Sequence, residues 1–196
     1  MRIGVLALQG AFIEHEKMLR SLGADVVQVR LPADLAGLDG LVIPGGESTT
    51  IGKLAVQFGL IDPLREFVQH TPTWGTCAGM IFLANQLEDN QQPILGAMDI
   101  TVDRNAFGRQ IDSFEADLPI TGLDEPFHAV FIRAPVATAA SGNTRILAQL
   151  DDGRIVAVQQ GHLLATAFHP ELTEDTRLHQ YFLDLIAQHA TGETPS

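Results

Sequence analysis

Cysteine is nearly missing from this chain: Cys77 is the only one in 196 residues, so no internal disulfide can form. Basic residues are also scarce, with 12 Lys and Arg against 24 Asp and Glu. The resulting formal charge of -12 repels phosphate backbones and anionic lipid surfaces, which argues against nucleic-acid and membrane partners. No apolar run reaches the roughly 18 residues that a membrane-spanning helix needs. The apolar start, Met1 to Leu8, has neither the length nor the cleavage site of a signal peptide. Together these absences lead to the expectation of a reducing compartment, the cytoplasm. Internal repeats and low-complexity segments are absent as well. What is present is ordinary globular composition, 45% hydrophobic and 18% charged. At this length roughly 70% of the unfolded surface can be buried. A single domain over residues 1–190 is expected, with a flexible polar tail over 191–196.

The hydrophobic pattern alternates between strand and helix in the first half. Ile3 to Leu8 is a continuous apolar run, as in a strand covered on both faces, and Gln9-Gly10 ends it. Phe12, Ile13, Met18, Leu19 and Leu22 then fall at helical spacing, with Gly23 placed to stop the helix. Val26 to Val29 and Leu41 to Ile43 read as further strands, the latter stopping at Pro44-Gly45-Gly46. Helices are expected over 49–58 and 63–69, then a strand over 73–76 that turns sharply into a helix over 78–83. The second half is richer in short β runs, at 129–132, 146–150, 155–159 and 163–168. Asp151-Asp152-Gly153 reads as a hairpin turn. An amphipathic helix over 175–189 closes the domain. The rhythm predicts an α/β fold: an open, mostly parallel central sheet with helices on both faces and a β-rich second half.

Three segments carry candidate chemistry. Gly75-Thr76-Cys77-Ala78-Gly79 has the form G-x-C-x-G, in which small residues permit a strained strand-to-helix turn that presents a nucleophile. A lone cysteine is by default a small buried hydrophobe. The flanking glycines favour the nucleophile instead, and a neighbouring histidine at a helix start would populate its thiolate below the usual pKa of about 8.5. Phe168-His169-Pro170-Glu171 supplies such a histidine, with an acid two residues on that can orient the ring. Pro44-Gly45-Gly46-Glu47-Ser48 follows a strand, and its paired glycines let backbone N–H groups converge on an oxyanion. A plain turn with Ser48 capping a helix is the alternative there. A phosphate loop is excluded, because Gly46 to Lys53 is one residue too long for the motif and Leu54 replaces its hydroxyl.

A glycine pair, a cysteine elbow and a late His-x-Glu, in that order, resemble the class I glutamine amidotransferases. Longer runs narrow this: Gln9-Gly10, Pro44 to Thr50, Gly75 to Gly79, Arg104 to Gln110, Asp112 to Glu115, Phe131 to Pro135 and Phe168 to Asp175 are similar to the glutaminase subunits of pyridoxal 5'-phosphate synthase. The resemblance implies the class I glutamine amidotransferase fold and hydrolysis of glutamine to glutamate and ammonia. The ammonia would pass to a synthase subunit, in a hetero-oligomer that makes the vitamin B6 cofactor. It implies catalytic roles for Cys77, His169 and Glu171, an oxyanion hole at Gly46 and Ala78, and glutamine binding by Gly46, Glu47, Ser48, Arg104, Ile132 and Arg133. No metal and no cofactor are implied. Two positions depart from the family's pattern, Trp74 just before the elbow and Met80 just after it.

Overall fold

The computed structural model describes residues 1–88, 91–108 and 112–192. Arg109 and Gln110 of the quoted run, and residues 193–196 of the expected tail, lie outside them. The first half comprises β1 (Arg2–Leu6), α1 (Phe12–Ser21), β2 (Asp25–Val29), β3 (Gly40–Ile43), α2 (Ser48–Gln57), α3 (Ile61–His70), β4 (Thr73–Thr76) and α4 (Ala78–Leu83). The second comprises β5 (Ala84–Leu87), β6 (Met98–Asp103), β7 (Ser113–Leu118), β8 (Phe127–Ile132), β9 (Val136–Ala140), β10 (Arg145–Gln149), β11 (Ile155–Gln160), β12 (Leu163–Thr166) and α5 (Arg177–Thr191). Short 3-10 turns lie at Pro32–Leu35 and Pro170–Leu172.

Among the described residues, ten strands form one sheet in the order β2-β1-β3-β4-β12-β11-β9-β6-β5, with β10 beside β11. The run from β2 to β12 is parallel throughout, and every residue of β3, β4 and β12 is buried. Burial on both faces is why β3 and most of β12 read as apolar runs rather than as alternation, whereas β4 is equally buried with Thr at both ends. Beyond β12 the pairing turns antiparallel through β11, β9 and β6, and β5 pairs parallel with β6. A separate antiparallel pair, β7 and β8, alternates buried and exposed residues along β8. The expected class, an α/β fold with a parallel core and extra strands in its second half, is the one observed.

The differences from the sequence reading lie at edges. Strands β5, β6, β7 and β9 are not apparent in the hydrophobic pattern, since Ala, Asn, Asp and Glu, which give little strand preference, interrupt them and pairing decides their state. Helix α5 begins later than expected, after an Asp175 carboxylate that binds Arg177, and runs to Thr191, where Gly192 takes the left-handed conformation. No helix among the described residues is long and apolar enough to cross a membrane.

Candidate active site

The parallel strands end at one rim of the sheet, and the loops leaving β1, β3, β4 and β12 there carry Gln9-Gly10, Gly45-Gly46, Cys77 and His169. In open α/β sheets this carboxyl-end crevice is where ligands bind.

Cys77 joins β4 to α4 at φ 49° and ψ -105°, a combination that costs about 1–3 kcal/mol for a residue with a Cβ. Its N–H donates to Thr166 O at 2.8 Å, and its carbonyl receives Met80 N–H at 3.0 Å. The glycines on either side are dictated by packing. A Cβ on Gly79 would stand 2.0 Å from Ile43 O, and one on Gly75 would stand 2.4 Å from Gly79 O. The helix can therefore start hard against β3 and β4 only because both positions lack side chains. Ala78, the first residue of α4, is buried beside the thiol's own backbone.

His169 and Glu171 are both buried, and Nδ1 of the ring lies 2.7 Å from Glu171 Oε1. The backbone of His169 is fixed by donation to Val130 O of β8 at 2.8 Å. Burial by itself pulls the imidazolium pKa down. Hydrogen bonding with the Cys77 side chain and with Glu171, reinforced by their charges, outweighs burial and raises it to about 10. The ring is thus set to hold, at neutral pH, a proton taken from the thiol. Gly45 fills the angle between the two groups: a Cβ there would come within 2.4 Å of His169 Cε1 and 3.2 Å of Cys77 Cβ. The thiol also lies 3.9 Å from Ile132 O, at the long limit for a sulfur hydrogen bond.

The glycine loop is locked to the first loop. Gln9 Oε1 accepts Glu47 N–H at 2.7 Å, Gly45 O accepts Ala11 N–H at 3.0 Å, and a Cβ on Gly46 would strike Gln9 Oε1 at 2.4 Å. Glu47 caps α2, its carboxylate accepting Thr49 N–H at 3.1 Å and Thr50 N–H at 2.7 Å, so the cap is Glu47 and Ser48 is the first helical residue. Ser48 and Thr49 hydroxyls both reach Gln92 Oε1, as does Arg104. Arg104 and Arg133 line a cavity of about 500 Å³ with Phe107 and Asp112, a volume suited to a small-molecule ligand. Arg133 has φ 44°, donates its N–H to Asp112 O, and sits one residue after Ile132, whose carbonyl faces the thiol.

The structure thus gathers Cys77, His169, Glu171, Ala78, Gly46 and Ile132 at one rim and sets Arg104 and Arg133 in the adjoining cavity. The carboxylate of Glu47 is engaged in capping, and its backbone N–H and carbonyl are bonded to Gln9 Oε1 and Ile51 N–H. Sequence reasoning did not single out Gly45, Gln9, Thr76, Gln92 or His15 as site residues. Gln9-Gly10 was visible as the stop after β1, and Gly45 as half of the glycine pair. His15 left one trace: it falls in register with Phe12, Leu19 and Leu22 on the inward face of α1.

Comparison with known proteins agrees with this arrangement. A family model described as the SNO glutamine amidotransferase family matches residues 5–188. A protein of Herpetosiphon aurantiacus named pyridoxal 5'-phosphate synthase subunit PdxT is 60% identical over 190 residues, covering 94% of this chain and all of that one. A Deinococcus radiodurans protein of the same name is 59% identical over 196 residues, covering 97% of this chain and all of its own length. A crystal structure described as a glutamine amidotransferase superposes with a TM-score of 0.89 at 51% identity, over 94% of this chain and 98% of the other.

Proposed function

The chain belongs to the SNO glutamine amidotransferase family, and from that premise we propose that it is the glutaminase subunit of a pyridoxal 5'-phosphate synthase, with Cys77, His169 and Glu171 as its catalytic residues. The observation that carries the site assignment is the convergence at Gly45, where an added Cβ would meet both the His169 ring and Cys77 Cβ, while Glu171 holds the ring's Nδ1.

In this reading the Cys77 thiolate attacks the side-chain amide carbon of glutamine, with its proton held on His169. Backbone N–H groups of Gly46 and Ala78 receive the oxyanion, each such donor lowering the barrier by about 3 kcal/mol. Protonated His169 passes its proton to the departing ammonia. The same ring then deprotonates a water that hydrolyses the γ-glutamyl thioester, releasing glutamate and restoring the thiol. Glu171 accepts the Nδ1 proton in a hydrogen bond throughout and favours the charged imidazole. Gly46, Glu47 and Ser48 contact glutamine from the β3 loop. Arg104, Ile132 and Arg133 close on its α-carboxylate and α-amino end, a guanidinium being suited to clamp a carboxylate with two hydrogen bonds. Ammonia passes to the synthase subunit of a hetero-oligomer that builds pyridoxal 5'-phosphate. The setting is the cytoplasm, consistent with a single free thiol at the centre of the chemistry.

The test is glutamate release by the full chain with and without the synthase subunit of a pyridoxal 5'-phosphate synthase. Glutamine-dependent glutamate and ammonia in equal amounts are expected with the partner. A folded complex that releases neither contradicts the reading.

A further inference from the structure

Two histidines lie behind the triad with no exposed surface at all, His15 on α1 and His179 on α5. Their rings meet, His15 Nδ1 lying 2.9 Å from His179 Nε2, and both pack on Trp74, the residue that departs from the family's pattern. On its other side His15 Nε2 stands 3.1 Å from Thr76 Oγ1 and 3.3 Å from Glu171 Oε2. The approach to Thr76 has hydrogen-bond geometry, whereas the one to Glu171 Oε2 is a close polar contact outside it. Thr76 in turn accepts the Gly45 N–H at 3.1 Å. One ring therefore adjoins the acid, the residue before Cys77 and the glycine loop.

Where the protons sit follows from counting donors. Burial, with the neighbouring His179 and His169, holds the His15 pKa well below its ordinary value, and burial brings His179 to about 4, so both rings are neutral near pH 7. Only one of the two facing nitrogens can carry the shared proton. If His15 held it on Nδ1, its Nε2 lone pair could accept the Thr76 hydroxyl but would also face the Glu171 carboxylate at 3.3 Å, and His179 Nδ1–H would be a buried donor with no acceptor among the described residues. If His179 donates from Nε2 instead, its unpartnered Nδ1 is a bare lone pair, the cheaper orphan, and His15 carries its proton on Nε2. That proton serves Thr76 Oγ1 and lies beside Glu171 Oε2, 3.3 Å from the ring nitrogen, an oxygen that has no hydrogen-bond donor of its own among the described residues.

We propose that His15 is a positioning residue for the triad: a neutral ring, protonated on Nε2 and set by His179, whose N–H lies beside Glu171 Oε2 and so keeps Oε1 aimed at His169. The inference rests on the catalytic reading of Cys77, His169 and Glu171. Losing that N–H leaves a buried carboxylate oxygen with no proton beside it, so Glu171 turns away or takes up a proton, and either change weakens its hold on the His169 imidazolium.

The test uses two amide replacements in the full chain. His15→Gln brings an N–H close to the place of ring Nε2, whereas the shorter His15→Asn reaches only the place of Nδ1. Cys77 is the sole thiol, so its alkylation rate by iodoacetamide at pH 7 reports the thiolate and imidazolium pair without requiring glutamine. Expected for His15→Asn are alkylation and kcat lower by about 10-fold or more, with KM within about 2-fold, since a small loss of alignment falls on the chemical step. His15→Gln restores both to within about 3-fold of the native chain. Equal behaviour of the two variants, at matched thermal stability, overturns the proposal, as does native alkylation and turnover in His15→Asn. If the native chain is alkylated but releases no glutamate with its partner, the proposed function fails while the alkylation comparison still decides the role of His15.

Discussion

The parallel half of the sheet and the arm formed by β7, β8 and the loops beside them contribute to one site in opposite ways. The parallel half is buried to its rim, and its turns admit no extra atoms: Gly45, Gly75 and Gly79 each stand where a Cβ would strike backbone or a catalytic side chain. The arm is open, with the Arg133 side chain 80% exposed and paired, among the described residues, only with a similarly exposed Asp112. Groups that must meet within tenths of an ångström are placed on rigid, buried elements, and groups that receive substrate are placed where it can enter. Beside the catalytic groups the two regions meet where Val130 of β8 holds the His169 backbone and where Ile132 faces the thiol. Aromatic packing reinforces the joint, with Phe131 against Phe168 at 5.5 Å and against Phe114 at 4.4 Å.

If this division is right, substitutions in the parallel half abolish chemistry and those in the arm weaken binding. The largest effect is expected from Cys77→Ala, which should remove glutamate release by at least about 10³-fold with the fold intact, read by partner-stimulated turnover and circular dichroism. Next is Gly79→Ala, whose Cβ would meet the Ile43 carbonyl carbon and oxygen. A loss of about 3 kcal/mol in urea unfolding is expected, along with misplacement of the elbow. Arg133→Ala should do the reverse of these. Its exposed ion pair adds little to stability, so unfolding should shift by less than about 0.5 kcal/mol, while KM for glutamine rises about 10-fold with the loss of one charge-assisted bond. An unchanged KM would dissolve the comparison.

A pH experiment sharpens it. Because the folded pKa of His169 is about 10, above the ordinary 6.5, stability from its imidazolium is fully present below 6.5 and is lost as pH rises through about 10. Cys77→Ala removes the first of the interactions that raise it, so the His169 ring should titrate lower in that variant, as read by its NMR shifts. The smallest effect belongs to the arm's outer face, where exposed His128 is raised by its hydrogen bond to Asp117 and then by that to Glu115. Asp117→Asn should lower the His128 pKa and leave glutamine turnover unchanged.

The same contrast explains what was legible in the sequence. Strands β1 and β3 announce themselves because burial on both faces forces apolar runs, β4 is marked by the cysteine elbow that follows it, and Gly10, Gly75 and Gly79 are required by sterics. Strand β9 is hidden because four of its five residues are Ala or Thr; its pairing with β6 and β11, not its own preference, makes it extended. Cys77, His169 and Glu171 could be picked out because each sits in a short motif. The carboxylate's other neighbour could not. His15 lies 156 positions before Glu171, and only the packing of α1 and α5 against the sheet rim brings it there. Glu47 is a similar case, since its side chain serves the helix start and its N–H ties the glycine loop to Gln9, neither of which the motif announces.

The most direct test is intact-mass analysis of the chain, with its synthase subunit present, after exposure to an electrophile that mimics glutamine. The account predicts one adduct per chain, located on Cys77, prevented by excess glutamine and matched one for one by loss of glutamate release. Full turnover by a chain whose Cys77 is covalently blocked would contradict it.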